Sequence, residues 1–435
     1  MSRHLLFSLA AAVQAVVAPG LSAQEHAHPT ADKLGTVHFQ TSCATSVAPR
    51  FDRGVALLHS FEFASSMREF HDVLAADSTC AMAWWGIALA RWSNPMAPSI
   101  RPPAAIAAGM EAVEAARRAN SGATGRERGY VEAVAQLYTD AAARSQPERV
   151  AAYEAAMAQV AARNPADTEA RIFHALALVQ SASPSDKTYA KQRQAGAILE
   201  ELFRAQPNHP GLAHYIIHAY DVPALAGEAV GAAKRYSEIA PASAHALHMP
   251  SHTFTQVGMW PESVRANQLS LDAALAQGSL AEALHAADYA VYAELQLGHD
   301  TAALAIMRRR PAIAERFDPK AVTGAAPGFA GVFALAAIPA RYALERGAWK
   351  EAAALRVTPS AYAFADAMTW QAKALGAARL GDTLAASIAV DTLSALQQRL
   401  ATAKEAYWAE QVAIQHLEAS AWRDFAAGRK QEALA

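Results

Sequence analysis

Two segments of the chain each carry a pair of histidines four residues apart. His214 and His218 lie in the first segment, and His248 and His252 occupy the corresponding places 34 residues further on. Residues four apart on a helix lie one turn apart on the same face, so each pair can direct two imidazoles at one ion. Because neighbouring helices pack roughly 8–10 Å apart, four imidazoles from two such helices could converge on one or two metal ions.

Other residues with ligand atoms lie near the two pairs. His245 and His285 are second candidates as metal ligands. A catalytic role would fall to Asp221, Asp288 or Tyr292, with either aspartate acting as a base or as a bridging carboxylate. Nitrogen and oxygen ligands together suit zinc, iron, manganese or copper, and the residue types do not select among these metals.

Two other interpretations fit the same histidines. In one they are ordinary hydrogen-bonding residues of a metal-free binding groove, and in the other they are purely structural. The sequence contains no Gly-rich phosphate loop, no Gly-x-Ser-x-Gly elbow and no His-Glu-x-x-His motif. Familiar kinase, hydrolase and metalloprotease chemistries therefore have no support, and the sequence leaves open whether the chain is an enzyme.

The elements that must position these residues are predicted by a repeat. A 34-residue period is typical of a helix–turn–helix solenoid. Four later segments each place a glycine where two helices would reverse and small residues shortly after it: 297–303, 346–352, 380–386 and 427–433. Glycine permits the tight turn, and the small residues let the two helices approach closely. The pattern predicts an all-α, right-handed solenoid of helical hairpins.

Most of the chain after its N-terminal segment resembles tetratricopeptide repeat proteins, which carry small residues and turn glycines at these places. Two phrases narrow the resemblance: HYIIHAYD at 214–221 and HALHMPSHTF at 245–254. They are similar to the HYxxHxxD and HxLHMPSHxF motifs of an exported bacterial group of such proteins. The resemblance implies the fold, and it implies no particular chemistry.

The repeat register places the histidines on one wall of the solenoid. With Gly258 at the inter-helix turn, Pro241 falls near the end of the preceding unit, so two landmarks agree. His248 and His252 then occupy positions that line the concave groove of a tetratricopeptide superhelix. Pro250 lies between them and either kinks the helix or begins a new one.

The leading functional hypothesis is an exported solenoid that binds a protein partner or a small ligand in this histidine-lined groove. The alternative is a metal-dependent enzyme that uses the same histidines as ligands. Nucleic acid is excluded as a partner, because the formal net charge is −2 and no basic stripe is present.

The N-terminus has the features of a secretory signal peptide over residues 1–23. Arg3 precedes a mostly apolar run from Leu5 to Pro19, and Ala23 ends a small-residue cleavage site. The run is short for a bilayer span, although a single membrane anchor is the competing interpretation, and no later segment reaches the ~20 apolar residues that a span needs. We therefore expect export to the periplasm of a bacterium.

The remaining chain divides into four predicted parts. Residues 24–49 form a leader, 50–322 an N-terminal array with the histidine-lined groove, 323–340 an irregular linker, and 341–435 C-terminal repeats that look incomplete. The two cysteines, Cys43 and Cys80, are expected to form one disulfide in an oxidising compartment, with two buried free thiols as the alternative.

Overall fold

The computed structural model describes residues 33–97, 100–119, 122–321 and 323–434. Within these ranges the chain forms twenty-one α-helices and no β-strand. The predicted all-α fold of helical hairpins is confirmed. The predicted signal peptide and the first part of the predicted leader lie outside the described residues.

The helices of the first half, in chain order, are α1 Ala48–His59, α2 Phe63–Ala76, α3 Ala81–Trp92, α4 Pro103–Arg118, α5 Gly125–Ala135, α6 Gln146–Arg163, α7 Thr168–Gln180, α8 Ala190–Ala205, α9 Pro210–Ala219 and α10 Val230–Ile239. Those of the second half are α11 Ala244–His248, α12 Pro250–Gln256, α13 Trp260–Gln277, α14 Leu280–Gln296, α15 Asp300–Ala314, α16 Gly328–Leu344, α17 Trp349–Ala353, α18 Ala363–Arg379, α19 Thr383–Thr402, α20 Ala406–Ala426 and α21 Lys430–Leu434. Most helices pack against the next helix, and several also pack against the next but one, as in a helical-hairpin array.

Glycines lie at the turns between successive helices, where the repeat pattern predicted them. Gly258, between α12 and α13, has a φ of +75°, in the left-handed region that a side chain would strain. Four other predicted turn glycines also have positive φ: Gly298, Gly347, Gly381 and Gly428.

The first hairpin folds back onto the middle of the array. Helix α1 packs against α9. The segment before α1 runs alongside the later turns, where the amide of Thr36 donates to the carbonyl of Asn208 at 2.9 Å and Lys33 accepts from Ala242 at 3.2 Å. A simple solenoid repeat contacts only its nearest neighbours. Here the fold-back brings the α1–α2 turn onto the helices that carry the histidines.

The break between the two predicted arrays is shorter than expected. Residues 323–327 contain no helix, but 328–340 belong to α16 and are not an irregular linker. The breaking residues Gly324 and Pro327 both precede α16, and the run that follows is apolar enough to form a buried helix. Helix α16 packs against both α14 and α18, so the two parts are joined by a continuous helical layer.

A disulfide joins Cys43 to Cys80, linking the segment before α1 to the residue that precedes α3. Helix α1 begins at Ala48, inside the predicted leader, because Pro49 is well suited to the first turn of a helix. Among the described residues, no helix has the length and hydropathy needed to cross a membrane.

Candidate metal centre

The structure gathers six histidines into two groups of three. The inner cluster consists of His214, His218 and His245, and the outer cluster of His248, His252 and His285. Within each cluster, one ring nitrogen from every histidine lies within 4.8 Å of the others. The four first-choice histidines therefore do not meet at one point, and of the one or two ions that the sequence left open the grouping corresponds to two. Each i, i+4 pair instead takes its third member from the second candidates.

Helix geometry explains this division. His245 and His248 are three residues apart, which turns their side chains roughly 60° from each other around the helix axis. The ring of His245 consequently lies against His214 of α9, with the two centroids 5.0 Å apart. The ring of His248 lies against His285 of α14, at 4.5 Å.

The inner cluster has its metal-binding atoms free. The Nδ1 of His214 donates to the carbonyl oxygen of His59 at 2.6 Å, and the Nδ1 of His245 donates to Glu282 at 3.1 Å. Each Nε2 is then left with its lone pair. The Nε2 atoms of His214, His218 and His245 are all buried, and none has a hydrogen-bond partner among the described residues.

Burial keeps two of these imidazoles neutral. It lowers the pKa of His218 to about 3 and that of His214 well below the ordinary histidine value. Burial alone would raise the pKa of Glu282, but the neighbouring His245 outweighs it and brings that pKa to about 2. An ionised carboxylate that accepts from the Nδ1–H of an imidazole is the arrangement that orients many metal-bound histidines.

The turn between α1 and α2 covers the inner cluster. The ring of Phe61 stacks on His218 and His245, with centroids 5.5 and 5.6 Å away, and meets His214 edge-on at 4.4 Å. Phe61 has a φ of +57°, an unfavourable conformation for a bulky residue. Such strain persists only where the surroundings impose it, and it is frequent at functional sites.

The residue after Phe61 holds the start of α11. Glu62 accepts a hydrogen bond from the hydroxyl of Ser243 at 2.8 Å, and Ser243 in turn caps the helix through the amide of Ala246. Burial raises the pKa of Glu62 to about 7. The α1–α2 turn thus fixes the helix that contributes His245 and His248.

The outer cluster brings two nitrogen lone pairs face to face. The Nε2 atoms of His248 and His252 are 3.1 Å apart. The Nδ1 of His248 donates to Asn267 at 2.7 Å, and that of His252 donates to Asp221 at 2.8 Å. With both Nδ1 atoms protonated, the two Nε2 atoms attract each other only when a proton or a metal ion lies between them.

The charges around the outer cluster differ from one histidine to the next. Burial lowers the pKa of His285 to about 3 and the pKa of His248 well below its usual range. Burial also acts to lower the pKa of His252, but the Asp221 carboxylate outweighs it and leaves that pKa above the ordinary value. His252 is therefore the member that most readily carries a proton.

Pro250 lies between the two outer ligands of this segment. Helix α11 ends at His248 and α12 begins at Pro250, while Met249 keeps helical angles of −52° and −36°. Proline has no N–H to donate, so the helical path continues through Met249 with one hydrogen bond missing. The sequence left open whether Pro250 kinks a helix or begins a new one, and the structure combines the two.

The three candidate catalytic residues occupy different places. Asp221 orients His252, as described above. Asp288 pairs with Arg341, whose Nε and Nη2 lie 3.0 and 3.4 Å from its carboxylate oxygens. Tyr292 lies under the same guanidinium, with its ring centroid 5.0 Å away. Asp288 and Tyr292 line a cavity beside the outer cluster and belong to neither group of histidines.

A third buried group of possible metal ligands has a carboxylate between its two histidines. Glu169 accepts hydrogen bonds from His59 and His209, both at 2.9 Å, and His59 also bonds the hydroxyl of Tyr215 at 3.0 Å. The two imidazoles outweigh the effect of burial and lower the pKa of Glu169. Here a carboxylate already bridges the ring nitrogens that face each other.

Several residues at the two clusters were not predicted. Glu282 precedes His285 by three residues, and this Glu-x-x-His spacing on one helix was a signal available in the sequence. Phe61 reaches the inner cluster from a distant part of the chain, and Asn267 reaches the outer cluster from α13, the next helix. Nothing in their local sequence marks them. Tyr289, whose ring contacts all three outer histidines, was also missed.

The histidines do not line an open groove along their whole length. His214 and His248 have no exposed surface, and His218 and His245 are only 8% and 5% exposed. The Phe61 turn closes the wall over the inner cluster. A protein partner therefore cannot reach those side chains without displacing that turn.

No protein family and no curated protein matches this chain. Among solved structures, the chain is similar to one described as the crystal structure of the APC/C hetero-tetramer Cut9-Hcn1. The sequence identity is 15%, the match covers 89% of this chain and 76% of that chain, and the TM-score is 0.33. A similarity of this degree shows neither a shared family nor a shared function.

Proposed function

We propose that this protein binds divalent transition-metal ions at its inner and outer histidine clusters. The observation that carries the proposal is the inner cluster, where three buried Nε2 atoms converge and none has a hydrogen-bond partner among the described residues. The helical hairpins serve as the rigid scaffold that holds these ligands.

The energetic argument favours a cation over a purely structural role. Leaving a buried polar atom without a partner costs about 1–3 kcal/mol, and here three such atoms lie together. In the third group Glu169 joins the facing nitrogens of His59 and His209, although the Nδ1 of His209 has no partner among the described residues, so the fold is able to place a carboxylate between histidines. One bound ion would satisfy all three inner nitrogens at once.

Binding would draw the rings closer together. Nitrogens bound to a tetrahedral ion at 2.0–2.1 Å lie about 3.3 Å apart. The outer pair is already at 3.1 Å, whereas the nitrogens within a cluster are spread over distances of up to 4.8 Å. We expect the inner rings to contract around the ion.

The ligand set narrows the choice of metal. Three imidazoles, one of which in each cluster is hydrogen-bonded to a carboxylate, suit zinc, copper or iron better than manganese, which prefers oxygen ligands. The ligands alone do not select among zinc, copper and iron.

We also propose that the protein acts after export. The predicted signal peptide at 1–23 and the Cys43–Cys80 disulfide both support an oxidising compartment such as the periplasm. Arrays of helical hairpins commonly bind proteins on their extended surfaces. A partner of this chain would contact surfaces other than the covered inner histidines.

Elemental analysis of untagged protein purified from an exporting host tests the metal proposal. We expect about two ions per chain in the wild type and about one in His218→Ala and in His285→Ala. His299→Ala is the matched control, because that histidine is 59% exposed and belongs to neither cluster. Absence of bound metal in the wild type, even after incubation with zinc, copper(II) or iron(II), would overturn the proposal.

A further inference from the structure

We infer, on the basis of the proposed metal binding, that the outer cluster is an open metal centre whose ion is reached from a neighbouring cavity. We further infer that this cavity takes a small aromatic molecule with an oxygen donor group, whose oxygen coordinates the ion while its ring fills the cavity. The inner cluster has no such access and is a closed site.

The cavity lies where the two parts of the array meet. It has a volume of about 510 Å³ and is lined by α14 on one side and by α16, α18 and α20 on the other. This volume is within the ~300–1,000 Å³ that small-molecule sites usually have. The site is thus formed only because α16 continues the helical layer between the two parts.

Two residues connect the cavity to the outer cluster. His285 is itself a lining residue, and its ring is 4.5 Å from that of His248. Tyr289 also lines the cavity, and its ring centroid lies 5.0, 5.1 and 5.2 Å from those of His248, His252 and His285. None of the inner histidines lines the cavity. Metal sites that exchange ligands keep such an open side, whereas structural sites are closed.

The far wall of the cavity is aromatic and flat. Phe364 and Trp408 stack with centroids 4.1 Å apart and an interplanar angle of 15°. Phe329 and Phe333 both contact Trp408, at 6.4 and 6.1 Å. Planar rings are favoured against such surfaces, since they bury a large apolar area and can stack.

The polar groups of the cavity specify how the ligand binds. Asp288 and Arg341 are the oppositely charged members of one ion pair, so they offer little net charge to a free anion. The Oε1 of Gln415, on the aromatic side, is buried without a hydrogen-bond partner among the described residues and can accept one from a ligand. Recognition then depends on the ring, this acceptor and coordination at the ion.

A pair of hydroxamates tests the inference directly. Benzohydroxamate presents an aromatic ring and two oxygen donors, and acetohydroxamate presents the same donors without the ring. Binding of either to cobalt(II)-loaded protein is followed by the visible absorption of the metal. We expect benzohydroxamate to bind at least about tenfold more tightly, because its ring enters the cavity.

Two substitutions of alanine by tryptophan test where the ring of benzohydroxamate binds. Ala330→Trp places a large side chain on the cavity wall, and we expect it to remove the advantage of benzohydroxamate while cobalt content is unchanged. Ala305→Trp, on the exposed side of α15, is the matched control and should retain the advantage. The comparison of the two probes on wild-type protein does not depend on either variant folding.

The outcomes separate this inference from the proposed function. Full cobalt loading with equal affinity for the two hydroxamates would overturn the aromatic cavity site and leave metal binding intact. A spectral response that persists in His285→Ala and is lost in His218→Ala would place the probe at the inner cluster and also overturn the inference. Protein that loads no cobalt would contradict the proposed function, and this inference with it.

Discussion

The inner and outer clusters use the same ligand type in opposite surroundings. In the inner cluster the Nδ1 atoms of His214 and His245 are held by oxygen acceptors, and Phe61 closes the site. The outer cluster is likewise held by Asn267 and Asp221, but His285 faces a cavity. What differs between them is access. A closed three-histidine site is suited to stabilising the fold, and an open one is suited to binding or converting a ligand.

The largest expected effect concerns stability. A metal bound only to the native state stabilises it by about 4 kcal/mol when the free ion exceeds its Kd a thousandfold. We expect His218→Ala to lose more of the metal-induced rise in the urea midpoint than His285→Ala, because the inner ion joins α9 and α11 beneath the α1–α2 turn. The pair is well matched, since neither side chain makes a hydrogen bond to another described residue.

Urea unfolding with and without added zinc measures the difference, and His299→Ala should behave as wild type. Equal losses in the two variants would remove the distinction between a structural and an open site. A larger loss of the metal-induced stabilisation in His285→Ala would indicate that the outer ion is the structural one.

The next effect comes from the carboxylates behind the histidines. Glu282→Gln and Asp221→Asn keep the shape of each side chain and remove its charge. We expect each to weaken metal binding at its own cluster by about 10- to 100-fold, because an orienting carboxylate increases the basicity of the imidazole. Inner affinity is measured in the His285→Ala background and outer affinity in the His218→Ala background. If both substitutions weakened the two clusters equally, the clusters would act as a single site.

The pairing of histidines within one helix was predictable from the sequence, but the third histidine of each cluster was not. The i, i+4 spacing of His214 with His218 and of His248 with His252 predicts shared helical faces, and the structure keeps both pairs together. Which neighbour each face meets depends on how successive helices pack. His245 and His248 therefore joined different clusters, although they belong to one predicted groove wall.

The covering of the inner cluster was beyond sequence-based prediction for a different reason. Phe61 precedes His214 by more than four repeat periods, and a regular solenoid would keep their hairpins apart. The fold-back of α1 onto α9 depends on contacts made by the segment before α1, such as that of Thr36 with Asn208. Long-range docking of this kind leaves no periodic signal. The predicted concave groove is consequently covered at the inner cluster.

A smaller effect concerns the rate at which metal leaves each cluster. We expect a chelator to remove the outer ion at least about tenfold faster than the inner ion, a barrier difference of about 1.4 kcal/mol, because only the outer cluster adjoins the cavity. Phe61→Ala should accelerate release from the inner cluster and leave the outer rate unchanged. Stopped-flow measurements with a chromogenic chelator provide both rates. Unchanged inner release in Phe61→Ala would show that this ring is not the barrier.

The smallest expected effect is a difference between the two clusters in how they influence the stability of the metal-free protein. The Nε2 of His218 then remains buried and unpaired, so replacing the imidazole with an apolar side chain of similar volume removes that penalty. We expect His218→Leu to be as stable as the metal-free wild type, or more stable by about 1 kcal/mol.

His248→Leu is the matched comparison in the outer cluster. It removes the shorter of the two hydrogen bonds that the Oδ1 of Asn267 accepts and leaves the one from Ser251, so it should destabilise the metal-free protein by about 0.5–1.5 kcal/mol. Urea unfolding in the presence of a chelator measures both. If His218→Leu proved as destabilising as His248→Leu, His218 would be a satisfied core residue, and the unpaired nitrogens of the inner cluster would no longer argue for a metal.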